Sequence, residues 1–146
     1  MKTYSVIAKD FQRIFSSLTT KGQASLELDD EENPLEENNG VEIRVKLNTN
    51  KYLDIKSLSG GEKTLAALSL IFAIQEYMPA SFYLLDEVDA ALDKRNSELL
   101  SNLIAQYSSK AQYIVISHND SIISEADSVY GVSMQEGISK VVSLKL

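Results

Sequence analysis

An α/β fold is predicted, with a mainly parallel, buried sheet, helices on its flanks and antiparallel hairpins at its edges. Three observations predict it. The first is the run Phe82-Tyr83-Leu84-Leu85, which is apolar and uncharged and stops abruptly at the carboxylates Asp86 and Glu87. A short apolar run rich in aromatics and opened by Pro79 reads as a strand covered on both faces, as strands of parallel sheets are. The second is a similar run, Gln112-Tyr113-Ile114-Val115-Ile116-Ser117, with helical segments before and between the two. The third is strict alternation of apolar and polar residues near both ends of the chain, as half-buried antiparallel strands require.

Length and composition suit one domain with one core: 146 residues, 44% of them hydrophobic. The absence of cysteine excludes a disulfide framework and any thiolate metal site, and fits an intracellular protein. No signal-peptide pattern is present, and no apolar run approaches the roughly 18 residues of a membrane helix. The net charge of −7 is local. Residues 27–42 hold eight acids and no base, leaving thirteen acids against fourteen basic residues elsewhere. No basic stripe marks a nucleic-acid footprint.

Residues 2–18 form the first expected helix. Tyr4, Ile7, Phe11, Ile14 and Leu18 recur at intervals of three and four, as in an amphipathic helix laid on a sheet or the cut end of a longer coiled coil. Gly22 ends it. Ala24, Leu26 and Leu28, then Val41, Ile43, Val45 and Leu47, alternate as the two strands of a hairpin. The acidic, Asn-rich segment 29–40 is the loop between them. Asn48 to Lys51 is a turn. A helix from about Glu62 to Tyr77 is apolar almost all round and so is expected to be buried. A helix from about Lys94 to Tyr107 follows, with Asp93 as its N-cap and Leu99, Leu100, Leu103 and Ile104 inward. A short helix spans about Asp120 to Ala126. A final hairpin, Ser128–Met134 with Ser139–Leu144, turns at Gln135-Glu136-Gly137.

Candidate chemistry gathers at three places. Ligands on parallel sheets sit beyond the carboxyl ends of the strands, so Asp86 and Glu87 lie where phosphates and a magnesium ion would be. Successive strand residues point to opposite sides, so one acid can hold a metal shell and the other can face an attacking water. The plain alternative is a polar strand end meeting solvent. The second place is Leu58-Ser59-Gly60-Gly61-Glu62-Lys63. Free N–H groups at a helix start, with glycines that admit a close approach and a serine hydroxyl, can bind an anion, or Ser59 can simply cap a Gly-Gly turn. The third is His118, the one histidine of the chain, at the end of the second strand. A P-loop is absent: Glu62 separates Gly61 from Lys63, and no G-x-x-x-x-G-K-[ST] occurs anywhere.

These motifs, in this order, resemble the carboxyl-terminal half of an ABC-type ATPase head, and most of all that of the structural maintenance of chromosomes (SMC) family. Leu58 to Lys63 is similar to the ABC signature motif, Phe82 to Glu87 to Walker B, Asp89-Ala90-Ala91-Leu92-Asp93 to the D-loop, and His118 to the switch histidine. The wording Asp86-Glu87-Val88-Asp89-Ala90-Ala91-Leu92-Asp93 is SMC-like where transporters commonly place Pro after the acids. Gly131-Val132-Ser133-Met134 and Gly137 to Val142 are SMC-like too. The resemblance covers nearly the whole chain, 1–146, as a single lobe.

The resemblance implies a P-loop in a distant amino-terminal half of the same protein, with residues 2–18 where the coiled coil enters the head. It implies two heads sandwiching ATP. Ser59, Gly60, Gly61 and their helix would cover the γ-phosphate held by the other head, and Asp86 would hold Mg²⁺. Glu87 would act on the attacking water, His118 would contact the γ-phosphate, and Asp89 and Asp93 would communicate across the dimer. A kleisin subunit and DNA are implied as partners, and a cytoplasmic, nucleoid-associated location. Other expectations are a Rad50- or RecN-like repair ATPase, a transporter subunit, disfavoured by the missing P-loop, and a non-hydrolysing scaffold.

Overall fold

A computed structural model of the chain describes residues 2–19, 22–30, 32, 39–47 and 51–144. Helix α1 (Lys2–Leu18) turns the expected stripe inward: Phe11, Ile14 and Leu18 are fully buried, and Tyr4 and Ile7 partly so. Phe15, outside that stripe, is buried as well. The apolar face is thus wider than a two-residue-per-heptad seam, as in a helix packed on a globular core. The Tyr4 hydroxyl donates to the Leu26 carbonyl at 2.6 Å and fixes α1 on the first hairpin.

That hairpin joins β1 (Gln23–Leu28) and β2 (Val41–Lys46) antiparallel, with Ala24 opposite Val45 and Leu26 opposite Ile43. The alternation holds in part: Ala24, Leu26 and Val45 face the core and Leu28, Ile43 and Leu47 are half-buried, but Val41, expected inward, is 53% exposed. A third strand, β3 (Leu53–Asp54), adds to β2; at two residues it is too short to show a period. Residues 48–50 of the expected turn Asn48–Lys51 and most of the acidic loop 29–40 lie outside the described residues. The base of that loop is closed by Asp29 N–H donating to the Gly40 carbonyl at 3.1 Å.

A single 3-10 turn (Ile55–Ser57) then feeds helix α2 (Gly60–Tyr77), strand β4 (Phe82–Asp86), helix α3 (Lys94–Ser108), strand β5 (Gln112–Ile116) and helix α4 (Asp120–Ser124). Strands β4 and β5 run parallel, with Phe82 beside Gln112 and Asp86 beside Ile116. The last hairpin, β6 (Val129–Gln135) with β7 (Ile138–Leu144), turns through Glu136 at φ 53° and Gly137 at φ 77°. Two successive positive φ values are the tight turn whose twist suits a hairpin.

Three expectations need correction. Among the described residues the parallel component is a single pair, β4–β5, and the other pairings are antiparallel. That pair is covered on one face only. Leu85 is buried and Tyr83, Tyr113 and Val115 are half-buried, but Phe82 and Leu84 are each 60% exposed, and Ile114 and Ile116 nearly half exposed. Helix α2 is likewise not buried all round, since Ile71 and Ile74 are each 44% exposed. The reason is one of supply. α2 and α3 pack on one side of the strand pair and α1 packs on α2, and no described element covers the other side. The apolar residues Tyr130, Val132, Met134 and Val141 of the last hairpin are largely exposed as well. No helix among the described residues is long and apolar enough to cross a membrane.

The amino ends of β4 and β5 are tied to the far end of α2 by aromatic contacts. The Phe72 ring lies 5.1 Å from that of Tyr107 and 6.2 Å from that of Tyr113, and Tyr113 lies 5.1 Å from Tyr83. Tyr113 donates to Gln75 Oε1 and Tyr107 to Glu76 Oε1, each at 2.7 Å. The Glu76 carboxylate also meets Arg13 of α1 at 3.6 Å and Lys110 at 3.7 Å.

Candidate functional site

The parallel pairing brings the two strand ends side by side, and the chain leaves β4 at once. Glu87 has φ 47°, a left-handed conformation that costs a non-glycine residue about 1 kcal/mol. Two backbone bonds hold it there: Glu87 N–H donates to the Ile116 carbonyl at 2.9 Å, and the Glu87 carbonyl accepts from Ala90 N–H at 3.1 Å. The expectation that strand alternation sends Asp86 and Glu87 to opposite sides therefore fails. The strand ends at Asp86, and a turn, not a pleat, directs Glu87. Its Oε1 lies 3.5 Å from Nε2 of His118, whose side chain is 90% exposed. Two of the three residues expected to be catalytic thus meet directly, and Asp86 is exposed at the same strand end.

Residues 88–93 form a compact loop after the acids. Leu92 N–H donates to the Asp89 carbonyl at 2.9 Å, and Asp93 caps α3 by accepting from Asn96 N–H at 2.8 Å, as the sequence suggested. Asp89 departs from expectation. It is only 7% exposed, and its Oδ2 accepts from the Ser117 hydroxyl at 2.8 Å. Its carboxylate is turned into the chain.

The start of α2 is built by a capping box. Ser59 Oγ accepts from Glu62 N–H at 3.4 Å, and Glu62 Oε2 accepts from Ser59 N–H at 2.8 Å. The N–H groups of Gly60 and Gly61 have no partner within the helix, being in its first turn. Both readings of this stretch therefore coexist: Ser59 caps, and two backbone donors remain at the positive end of the helix dipole. Leu58 is buried, and Glu62 folds back on the cap, so these two support the turn instead of facing a ligand. Lys63 is exposed. Gly60 has open space where a side chain would stand. Gly61 does not: a Cβ there would come within 2.8 Å of the Ala91 carbonyl oxygen. The loop after the acids and the glycine-started helix thus touch backbone to backbone, which only glycine allows.

Sequence reasoning missed the Asp89–Ser117 bond and the Asn119 cap, which accepts from Ser121 N–H at 3.0 Å. An Asn directly before a short helical pattern was the available signal for the second. Nothing local announced the first, because it joins positions 28 residues apart. Among the described residues no group of three or more His, Asp or Glu gathers as a metal cage. A magnesium ion at Asp86 fits that donor set in one way, with most of its shell drawn from water and phosphate oxygens, as this ion prefers.

The parallel strand pair thus ends beside two acids and a histidine, next to a glycine-started helix that rests on the loop after the acids. The chain belongs to the RecF/RecN/SMC family: the family model described as the RecF/RecN/SMC N terminal domain matches residues 3–140. That description does not support the expected carboxyl-terminal half, so the family assignment stands without that placement. The chain is 44% identical over 146 residues to the chromosome partition protein Smc of Methanocaldococcus jannaschii, and 45% identical over 145 residues to that of Aquifex aeolicus. It spans 12% of the length of each. A solved SMC head bound to the C-winged helix domain of ScpA matches with a TM-score of 0.93 and 44% identity, over 100% of this chain and 45% of that one. Another, from work on ATP-driven dimerization and DNA-stimulated activation of SMC ATPases, matches with a TM-score of 0.90 and 41% identity, over 99% of this chain and 87% of that one.

Proposed function

We propose that the chain is the lobe of a chromosome-partition ATPase head that carries signature motif, Walker B acids and switch histidine, while a P-loop comes from another segment of the same protein. The observation that carries this is the meeting of Glu87 and His118 at 3.5 Å on the ends of a parallel strand pair. The exposed residues Phe82, Leu84, Ile114 and Ile116 are the surface on which the P-loop segment would complete the sheet.

In this reading Glu87 accepts the proton of, or orients, the water that attacks the γ-phosphate. Its exposed carboxylate and fixed backbone suit that task. His118 donates to the γ-phosphate from the neighbouring strand end. Asp86 holds Mg²⁺, which supplies charge neutralisation on the phosphate oxygens. Ser59 and the N–H groups of Gly60 and Gly61 reach the γ-phosphate bound by a second head. ATP then joins two heads, and hydrolysis releases them. Asp93 lies on the surface that such a pairing would cover. A ScpA-like kleisin and DNA are partners of the whole assembly, as the ScpA-bound head and the DNA-stimulated ATPase among the relatives suggest. A cytoplasmic, nucleoid-associated location follows from that role.

The test is ATP turnover by the full-length protein with Mg²⁺, alongside Glu87→Gln and Ser59→Arg. Glu87→Gln is expected to stop turnover and keep ATP-dependent head pairing; Ser59→Arg is expected to stop pairing and keep ATP binding. Turnover by Glu87→Gln would remove Glu87 from its role. Loss of ATP binding in Ser59→Arg would place the glycine turn on the head's own nucleotide.

A further inference from the structure

We infer that Asp89 is a positioning residue: by gripping Ser117 it holds the turn that carries His118, and so sets His118 against Glu87. The inference deepens the ATPase reading and rests on it for the roles of Glu87 and His118.

Asp89 is the one buried carboxylate among the described residues. A carboxylate taken out of water needs a donor, and removing that donor is costly. Its donor is the Ser117 hydroxyl, at 2.8 Å. A hydroxyl has one proton to give. With that proton committed to Asp89, the oxygen's lone pairs face elsewhere, and Ser117 Oγ accepts from Asn119 N–H at 2.9 Å. The chain of bonds thus runs from Asn119 N–H to Ser117 to Asp89, each link orienting the next. It brackets His118 on both sides. His118 has no packing of its own to hold it, being 90% exposed, so its place depends on these two neighbours.

The other end of the link is equally placed. Asp89 follows Glu87 by two residues in the same turn, whose carbonyl–amide bonds (Glu87 to Ala90, Asp89 to Leu92) fix both. That turn also presses the Ala91 carbonyl against Gly61. One buried side chain therefore joins the loop bearing the base to the loop bearing the histidine, next to the helix that would serve the second head. A residue facing across a dimer would be free to do so; Asp89 is not.

The test uses the full-length protein with Asp89→Ala, Ser117→Ala, their combination, and Asp89→Asn, whose amide oxygen still accepts the Ser117 proton. Asp89→Ala and Ser117→Ala are each expected to lower kcat for ATP by about 10- to 100-fold, with KM little changed, as loss of a supporting bond does. The combination should be no worse than either alone, and Asp89→Asn should recover most of the lost turnover. Hydrogen exchange adds a readout that needs no ATP. Amides of residues 117–122 should exchange faster in Asp89→Ala and Ser117→Ala, and as in the parent protein in Asp89→Asn. Unchanged exchange in both alanine variants, full turnover by Asp89→Ala, or Asp89→Asn as impaired as Asp89→Ala would each overturn the inference. A Glu87→Gln variant that still turns over ATP would instead sink the ATPase reading, while the exchange pattern would still decide the Asp89 link. If Asp89→Ala does not fold, Ser117→Ala and Asp89→Asn carry the comparison.

Discussion

The two ends of the parallel pair are built on opposite plans. At the amino ends of β4 and β5, polar groups are matched within the chain: Tyr113 to Gln75, Tyr107 to Glu76, and Glu76 to Arg13 and Lys110, over stacked rings. At the carboxyl ends the backbone is tightly fixed, while Glu87, His118 and Asp86 are exposed. The contrast separates stability from function. A fold gains by satisfying its polar groups, and a site needs some left over, held still by others that are satisfied. Asp89 and Ser117 are the satisfied ones here.

The largest expected effect tests that division directly. Glu87→Gln should lower ATP turnover of the full-length protein by about 100-fold or more, the usual worth of a general base. Glu76→Gln, at the other end, should leave turnover within about twofold, since no catalytic group touches it. Equal losses from the two would erase the distinction. The next effect is on stability. Phe72→Ala removes the ring between Tyr107 and Tyr113 and should cost about 3–5 kcal/mol in chemical denaturation of the chain. Leu84→Ser, on the open face of the same sheet, should change it by no more than about 0.5 kcal/mol. A large loss from Leu84→Ser would mean that this face is already covered.

How much of this was legible depended on range. The alternation at Ala24, Leu26 and Val45 was local and gave the hairpin its true faces. Asp93 and Ser59 act over three residues, and their capping was readable. The apolar runs of β4, β5 and α2 misled in one respect. They suggest burial all round, because apolarity reports what a surface can be packed against, not whether this chain supplies the packing. Phe82, Leu84 and Ile71 carry the same letters they would carry beneath a covering layer. At the site, the chemistry of Glu87 and His118 was visible as residue type and position, but not the turn at Glu87. A positive φ on glutamate has no sequence signature and follows from the grip of the Ile116 carbonyl on its amide. The burial of Asp89 was hidden for a similar reason, since its partner Ser117 lies 28 residues away, just past the end of β5.

Two smaller effects sharpen the contrast further. Ser59→Ala removes one half of the capping box and should lower stability by about 1 kcal/mol, with head pairing weakened as well because the same residue stands at the proposed phosphate site. The loss of stability without any loss of pairing would leave Ser59 a cap alone.

The smallest expected effect lies at the closed end and depends on pH. Burial, and then the hydrogen bond to Glu76, push the Tyr107 hydroxyl from its usual 10 up to about 12. The folded state thus holds this proton more tightly than the unfolded chain does. Its contribution is fully present below pH 10 and is lost as pH rises toward 12. Tyr113, raised in the same direction chiefly by burial, loses its share in the same alkaline range. Chemical denaturation at pH 9 and pH 11 should therefore show a fall in stability that is smaller in Tyr107→Phe, which has no proton to lose. The Phe72 and Tyr107 rings remain in contact in that variant, so any difference in slope with pH, as opposed to level, belongs to the hydroxyl. An identical slope in both proteins would mean that the Tyr107–Glu76 bond is too open to water to hold the proton, and that the closed end is closed by its rings alone.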